Sequence, residues 1–220
     1  MKFFSLALAV AAGLSVVSAH AVTPQPVNLL TNGSFETPSY SSIGDHFFPS
    51  GSTDITGWTA VGPGETQLSR HPTCTDGNQC VDLTGIYGYD KGLRSDAVQT
   101  VVGATYRLSF DLGNVIAPGF GSSTVSVSVN DGAPVLFTNV ISADPSGFEW
   151  ESKSMDWVAD AASARITFLG AANGSLSNNA GILLDKVVFS AVPVPEPETT
   201  VLMLTGLALV GLMARRGVRG

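Results

Sequence analysis

Two cysteines, Cys74 and Cys80, stand in the polar run His71-Pro-Thr-Cys-Thr-Asp-Gly-Asn-Gln-Cys80. In an oxidising compartment such a pair closes a small disulfide loop, and Gly77 between them gives the flexibility to bridge. Free thiols and a metal site are the alternatives. A redox pair needs the tighter Cys-x-x-Cys spacing. A zinc site needs more ligands than His71 supplies. A second group with chemistry to offer is the loop Gly85-Ile-Tyr-Gly-Tyr-Asp-Lys-Gly92, with Arg94 just beyond it. Sugar sites stack an aromatic face on a pyranose and fix it with a few polar groups. Tyr87, Tyr89 and Asp90 are the candidate ligand patch on that ground, against the plainer reading of a surface loop. Trp58 follows Ile55-Thr-Gly57 and is expected to pack in a core. Trp150 and Trp157 lie an odd number of residues apart, so in an unbroken strand they face opposite sides and one is exposed.

Catalytic readings find little support. Beyond the first 21 residues there are two histidines, His46 and His71, and neither lies in a metal or nucleophile motif. No Gly-x-Ser-x-Gly elbow occurs. The many aspartates leave room for a glycosidase-type carboxylate pair, but no pair stands out. The chain is therefore expected not to be an enzyme. Its formal net charge is −7, and residues 22–192 carry 7 Lys and Arg against 16 Asp and Glu, a net of −9. Such a surface has no electrostatic footprint for nucleic acid. It suits neutral sugars or bound calcium better.

The elements that would position these residues read as strands. The 220 residues include 24 Gly and 12 Pro, and only 13% are charged. That is the profile of a turn-rich all-β domain. In Tyr106-Arg-Leu-Ser-Phe-Asp-Leu112, the residues Tyr106, Leu108, Phe110 and Leu112 share one face. Val125-Ser-Val-Ser-Val129 alternates strictly. Asn130-Asp131-Gly132, with Pro134 after it, is a hairpin turn that returns Val135–Ile141 as the partner strand. Phe148–Trp157 and Ala164–Leu169 follow as strands. Gly181–Phe189 is almost continuously apolar and is expected in the middle of a sheet. About ten strands and no convincing amphipathic helix predict a two-sheet antiparallel jelly-roll sandwich, all-β, over residues 22–192. An N-terminal signal helix and a C-terminal hydrophobic helix flank it.

The ends are addresses rather than fold. Lys2, an apolar run from Leu6 to Val17, and Ser18-Ala19-His20-Ala21 form a secretory signal with cleavage expected after Ala21. Residues 193–220 hold Pro195-Glu196-Pro197, then an apolar stretch from Val201 to Ala214, then Arg215-Arg216. That stretch is shorter than the roughly 20 residues that span a bilayer unaided. Its basic end should stay cytoplasmic. The arrangement resembles the PEP-CTERM sorting domain of Gram-negative bacteria that make exopolysaccharide. The resemblance implies an exosortase that reads the motif and removes the tail. It further implies a precursor at the inner membrane, with a transmembrane helix only at that stage, and a product at the cell surface or in the extracellular matrix.

The order Asn-Gly-Ser-Phe-Glu36, Gly-Trp58, Val-Asp-Leu-x-Gly85, Val-Gln-Thr100 and Leu-Asp-Lys-Val187 resembles a galactose-binding-like jelly roll. The pattern is shared by several carbohydrate-binding modules, by a cell-wall-associated domain family of unknown function, and by choice-of-anchor domains of PEP-CTERM proteins. In related jelly rolls a structural calcium links the first strand to the last. The matching positions here are Glu36 and Asp185, near the Asn32–Ser34 backbone, although Lys186 stands where a second carboxylate is often found. Together these resemblances imply an exported surface protein that associates with exopolysaccharide. A hydrolase or lyase acting on that polysaccharide, or a purely architectural surface protein, are the alternatives.

Overall fold

The computed structural model describes residues 27–84, 90–115, 122–140, 148–171 and 181–193, with 204, 206–208 and 211 in the tail. Among these residues thirteen strands, β1 to β13 in chain order, form antiparallel sheets. One sheet has the order β1 (Gly44–Pro49), β3 (Glu65–Arg70), β4 (Gln79–Asp82), β13 (Ile182–Ala191), β7 (Thr105–Val115), β10 (Phe148–Val158). The other runs β2 (Trp58–Val61), β5 (Gly92–Ser95), β12 (Ile166–Ala171), β8 (Ser123–Val129), β9 (Val135–Asn139). A short pair, β6 (Val98–Gln99) and β11 (Ser163–Ala164), lies apart.

The alternation read in the sequence sets the inner faces. Tyr106, Leu108, Phe110 and Leu112 of β7 are all buried, as are Val125, Val127 and Val129 of β8. Phe110 joins the two layers edge-on, 5.2 Å from Phe168 of β12 and 5.3 Å from Phe137 of β9. The β8–β9 hairpin turns through Asn130 and Asp131, both at positive φ, and closes with the Gly132 amide on the Val129 carbonyl. Two left-handed residues in succession match the twist of the strands they join. As expected, β13 is interior, paired with β4 on one side and β7 on the other.

Other elements depart from the expectation. Gly44–Pro49 and Glu65–Arg70 are strands that the sequence pattern did not mark. β1 is an edge strand with little buried surface, and β3 buries only Thr66 and Leu68 among polar neighbours. Ala164–Leu169 divides at Arg165 into β11 and the start of β12. The signal segment lies outside the described residues. In the tail, Leu204, Gly206, Leu207, Ala208 and Gly211 are helical. No helix among the described residues is long and apolar enough to cross a membrane.

The Asn28–Glu36 segment is a looped brace along β13, whose register shifts between Asp185 and Val188 with Lys186 at φ 52°. That bulge frees the Val187 backbone from β7. The Val187 N–H donates to the Gly33 carbonyl at 2.8 Å, and the Val187 carbonyl accepts from Asn28 Nδ2 at 2.9 Å. A Cβ on Gly33 would sit 2.0 Å from the Val187 oxygen, so only glycine admits this approach. Asn32 folds the loop back by bonding both the N–H and C=O of Thr37. Phe35 then enters the core at 0% exposure, 5.3 Å from Trp58. Trp58 is itself buried, as its sequence context predicts, and donates from Nε1 to the Asn32 carbonyl. Replacing Phe35 with Ala should cost about 3–5 kcal/mol. Urea unfolding followed by Trp58 fluorescence checks it, and a loss under about 1 kcal/mol would remove this segment from the core.

Candidate binding face

The outward residues of the six-stranded sheet fall into rungs. One runs the whole width in register: Phe47, Gln67, Asp82, Leu183, Gly113, Trp150. The neighbouring positions place Asp45 beside Ser69 and Cys80, and Asp185 beside Asp111 and Ser152. Outward positions of an antiparallel sheet normally meet water. Here a strap, residues 71–78 between β3 and β4, folds over part of the face.

Four kinds of contact hold the strap down. Cys74 is bonded to Cys80, whose Cα lies 5.6 Å away in β4. Glu36 Oε1 accepts the backbone N–H groups of Asn78 and Gln79 at 2.7 and 2.6 Å. Asp185 Oδ2 accepts Thr75 N–H at 2.7 Å, the Thr75 hydroxyl at 3.2 Å and Asp76 N–H at 2.9 Å. Trp150 Nε1 donates to the Thr73 carbonyl at 2.8 Å. Gly77, at φ 93°, packs against the Glu36 carboxylate, where a side chain would strain the backbone and clash with Glu36. Trp150 thus lies on the outer face, as odd spacing from Trp157 requires. Trp157 packs inward near Tyr106 and Phe189.

Asp185 is fully buried. Burial pushes its carboxyl up to about 6, against the downward pull of the Asp76, Lys186 and Thr75 donors. Its second oxygen accepts the Lys186 N–H at 2.7 Å. Glu36 and Asp185, paired in the sequence reading as calcium ligands, here hold the end and the middle of one loop through N–H groups. Glu36 Oε1 and both Asp185 oxygens each accept N–H groups here, bonds that a cation at those oxygens would have to displace. Among the described residues no three His, Cys, Asp or Glu side chains gather as a metal site.

At the start of the strap, His71 lines a hollow of about 350 Å³, with Ile43, Asp45, Gln67, Ser69, Arg70, Asp82 and Phe148 also in its lining. His71 Nδ1 meets the Thr73 hydroxyl at 2.7 Å, and its ring meets Phe148 edge-on at 4.7 Å. Gln67 donates to the Ser69 hydroxyl at 3.0 Å, and Ser69 donates to Asp45 at 2.8 Å. Of the predicted patch, Tyr87 and Tyr89 lie outside the described residues. Asp90 stands at φ 66° with its N–H on the Gly170 carbonyl, and it does not line the hollow. Gln67, Arg70 and Phe148 were not singled out in the sequence. The polar run containing His71 and the cysteines was its nearest signal.

The family described as "Protein of unknown function (DUF642)" matches residues 28–190. The chain belongs to the DUF642 family. A PEP-CTERM protein-sorting motif matches residues 193–217 and contains Pro195, Glu196, Pro197, Arg215 and Arg216. It marks the DUF642 domain for export and for exosortase sorting to the cell surface. No curated protein matches the chain. Among solved structures, the domain is similar to the Stig cyclase Fisc from Fischerella sp. TAU, in complex with (3Z)-3-(1-methyl-2-pyrrolidinylidene)-3H-indole. The TM-score is 0.55 at 16% identity, over 78% of this chain and 100% of that one. A cyclase from Fischerella sp. TAU in complex with 4-(1H-indol-3-yl)butan-2-one gives 0.55 at 15% identity over 77% and 99%. TmCBM61 in complex with β-1,4-galactotriose gives 0.44 at 15% identity over 76% and 99%. The cyclase likenesses show the fold of the DUF642 domain, a jelly roll, and nothing of its chemistry.

The raised carboxyl of Asp185 sets a pH dependence. A folded-state value above the unfolded value of about 3.9 means that folding takes up a proton in between. The stability from this group is full below about pH 4 and lost as pH rises through about 6, up to about 3 kcal/mol. Asp185→Asn does not titrate. The stability of the native protein relative to this variant should therefore fall between pH 4 and pH 7 in urea melts. A constant difference across that window would refute the assignment.

Proposed function

We propose that the exported domain is a surface or matrix component that associates with a neutral exopolysaccharide, which it holds in the hollow beside the strap. The observation that carries this reading is the lining. Asp45, Gln67, Arg70 and Asp82 offer acceptors and donors in close succession, the pattern vicinal sugar hydroxyls require, and Phe148 adds an aromatic edge. The Gln67–Ser69–Asp45 chain fixes two of these groups before any ligand arrives, which lowers the ordering cost of binding. Two carboxylates against one guanidinium in the hollow, and the net charge of −9 over residues 22–192, speak against a polyanionic glycan. The reading assigns no catalytic step. In the precursor, the apolar stretch from Val201 to Ala214 holds the protein at the inner membrane until exosortase removes the tail.

We further propose that Glu36 and Asp185 serve as amide clamps without calcium. A chelator should then leave the melting temperature of the secreted protein unchanged. A drop of several degrees that added calcium reverses would restore the ion to this site.

The glycan reading is tested by affinity electrophoresis of the processed protein through gels containing the host's own neutral exopolysaccharide. Gln67→Ala and Arg70→Ala should each weaken retardation about tenfold, the worth of a lost charged or bidentate hydrogen bond. Both residues are half-buried and neither belongs to the apolar core, so the melting temperature should fall by no more than a few degrees. Absence of retardation for the native protein would leave the purely architectural reading. Release of new reducing ends from the same polysaccharide would favour a hydrolase.

A further inference from the structure

Both ends of the described domain leave the sandwich at the same place. The Leu29 N–H donates to the Phe189 carbonyl, and the Val192 N–H donates to the Thr105 carbonyl at 2.9 Å. Around this exit three valines point into solvent: Val101 at 68% exposure, Val102 at 63% and Val158 at 60%. They form one patch. Val158 pairs with Thr105 in register, and the turn from Val101 closes with the Ala104 N–H on the Val101 carbonyl. Gly103 and Ala104 exchange hydrogen bonds with Ala159. The Val101 N–H is held at 2.9 Å by the hydroxyl of Tyr106, a core residue, so the tip is rigid.

The tail makes this position significant. Pro195-Glu196-Pro197 follows the anchored Val192 by three to five residues. A chain extends at most about 3.6 Å per residue, so the motif stays within roughly 11–18 Å of Val192. A folded protein that grips the motif is therefore held close to this end of the sandwich. We propose that Val101, Val102 and Val158 form a docking surface for the membrane enzyme that reads Pro195-Glu196-Pro197, so that recognition extends from the tail onto the folded domain. This rests on the exosortase-sorting reading given above. The charges around the tip favour a protein partner over lipid. Membrane-surface patches gather lysine and arginine. Here Asp160 is exposed beside Val158, and Arg107 is paired with Asp156. Because the motif tethers the partner, a small patch of weak affinity suffices.

The test is a pulse-chase of the full precursor in a host that carries the exosortase. The variant is Val101→Ser, Val102→Ser and Val158→Ser together, with Val158→Ser alone as a milder second. Tail removal should slow about tenfold in the triple variant, with export and the melting temperature of the domain unchanged. A flexible insert of about 20 Gly and Ser residues between Val192 and Pro193 should slow the native chain similarly. It should also abolish the difference between native and variant. Removal at the native rate by a folded variant overturns the proposal. So does flotation of the tail-free domain on phosphatidylethanolamine–phosphatidylglycerol vesicles that the serine changes abolish, since the patch would then be lipid-binding. If the native precursor keeps its tail in this host, the sorting reading falls and takes the inference with it.

Discussion

A carboxylate with no solvent exposure needs donors, and Asp185 finds them in a loop more than 100 residues away in sequence. The Thr75 and Asp76 amides and the Thr75 hydroxyl converge on one oxygen, and the Lys186 amide takes the other. Leaving such a group unpaired costs several kcal/mol, so the strap and the central strand come as a unit. Regular alternation along β13 places Asp185 on the outer face, and the bulge just after it turns the Val187 backbone toward the brace at Asn28 and Gly33. Adjacent residues of β13 therefore hold the strap on one side and the N-terminal segment on the other.

The strap is over-determined for its size. Trp150 grips it near its start at Thr73, Asp185 in its middle at Thr75 and Asp76, and Glu36 at its end at Asn78, while the Cys74–Cys80 bond closes it on β4. A ring this short contributes about 2 kcal/mol through chain entropy alone. Gln79 adds a tie from the adjoining strand, giving both amide hydrogens to the Phe35 and Pro38 carbonyls and accepting the Tyr40 amide. At the start of this pinned strap, His71 borders the hollow on the outer face of the sheet.

The framework was legible where one face is apolar and the other polar. Tyr106–Leu112, Val125–Val129 and the Asn130–Gly132 turn carry their structure in a few adjacent residues. β1 and β3 were not legible, because an edge strand and its neighbour bury too little for alternation to show. The Asn-Gly-Ser-Phe-Glu36 run was recognisable as a motif. Its work lies in contacts with Val187, Trp58 and Asn78, which no local pattern reveals. The hollow was hidden for a related reason. Asp45, Gln67, Arg70 and Phe148 sit on three strands, and none of them alone signals a site. The aromatics singled out in the sequence, Tyr87 and Tyr89, lie outside the described residues. Cys74 and Cys80 pointed at the strap directly, since closely spaced cysteines mark a short loop that must be pinned to something.

The two surfaces given functions stand at opposite ends of the same strand. β10 begins at Phe148, in the lining of the hollow, and ends at Val158, in the apolar tip beside the chain exit. Ten residue steps at about 3.3 Å separate them by about 33 Å. A domain tethered through Pro193 presents its valine end to whatever holds the tail. The hollow lies toward the other end of β10. On the proposed reading, glycan contact and tail removal therefore need not compete. Had the hollow opened beside Thr105, the enzyme reading the motif would have covered it. The length of β10, set by an unbroken eleven-residue pairing with β7, is what keeps the two apart.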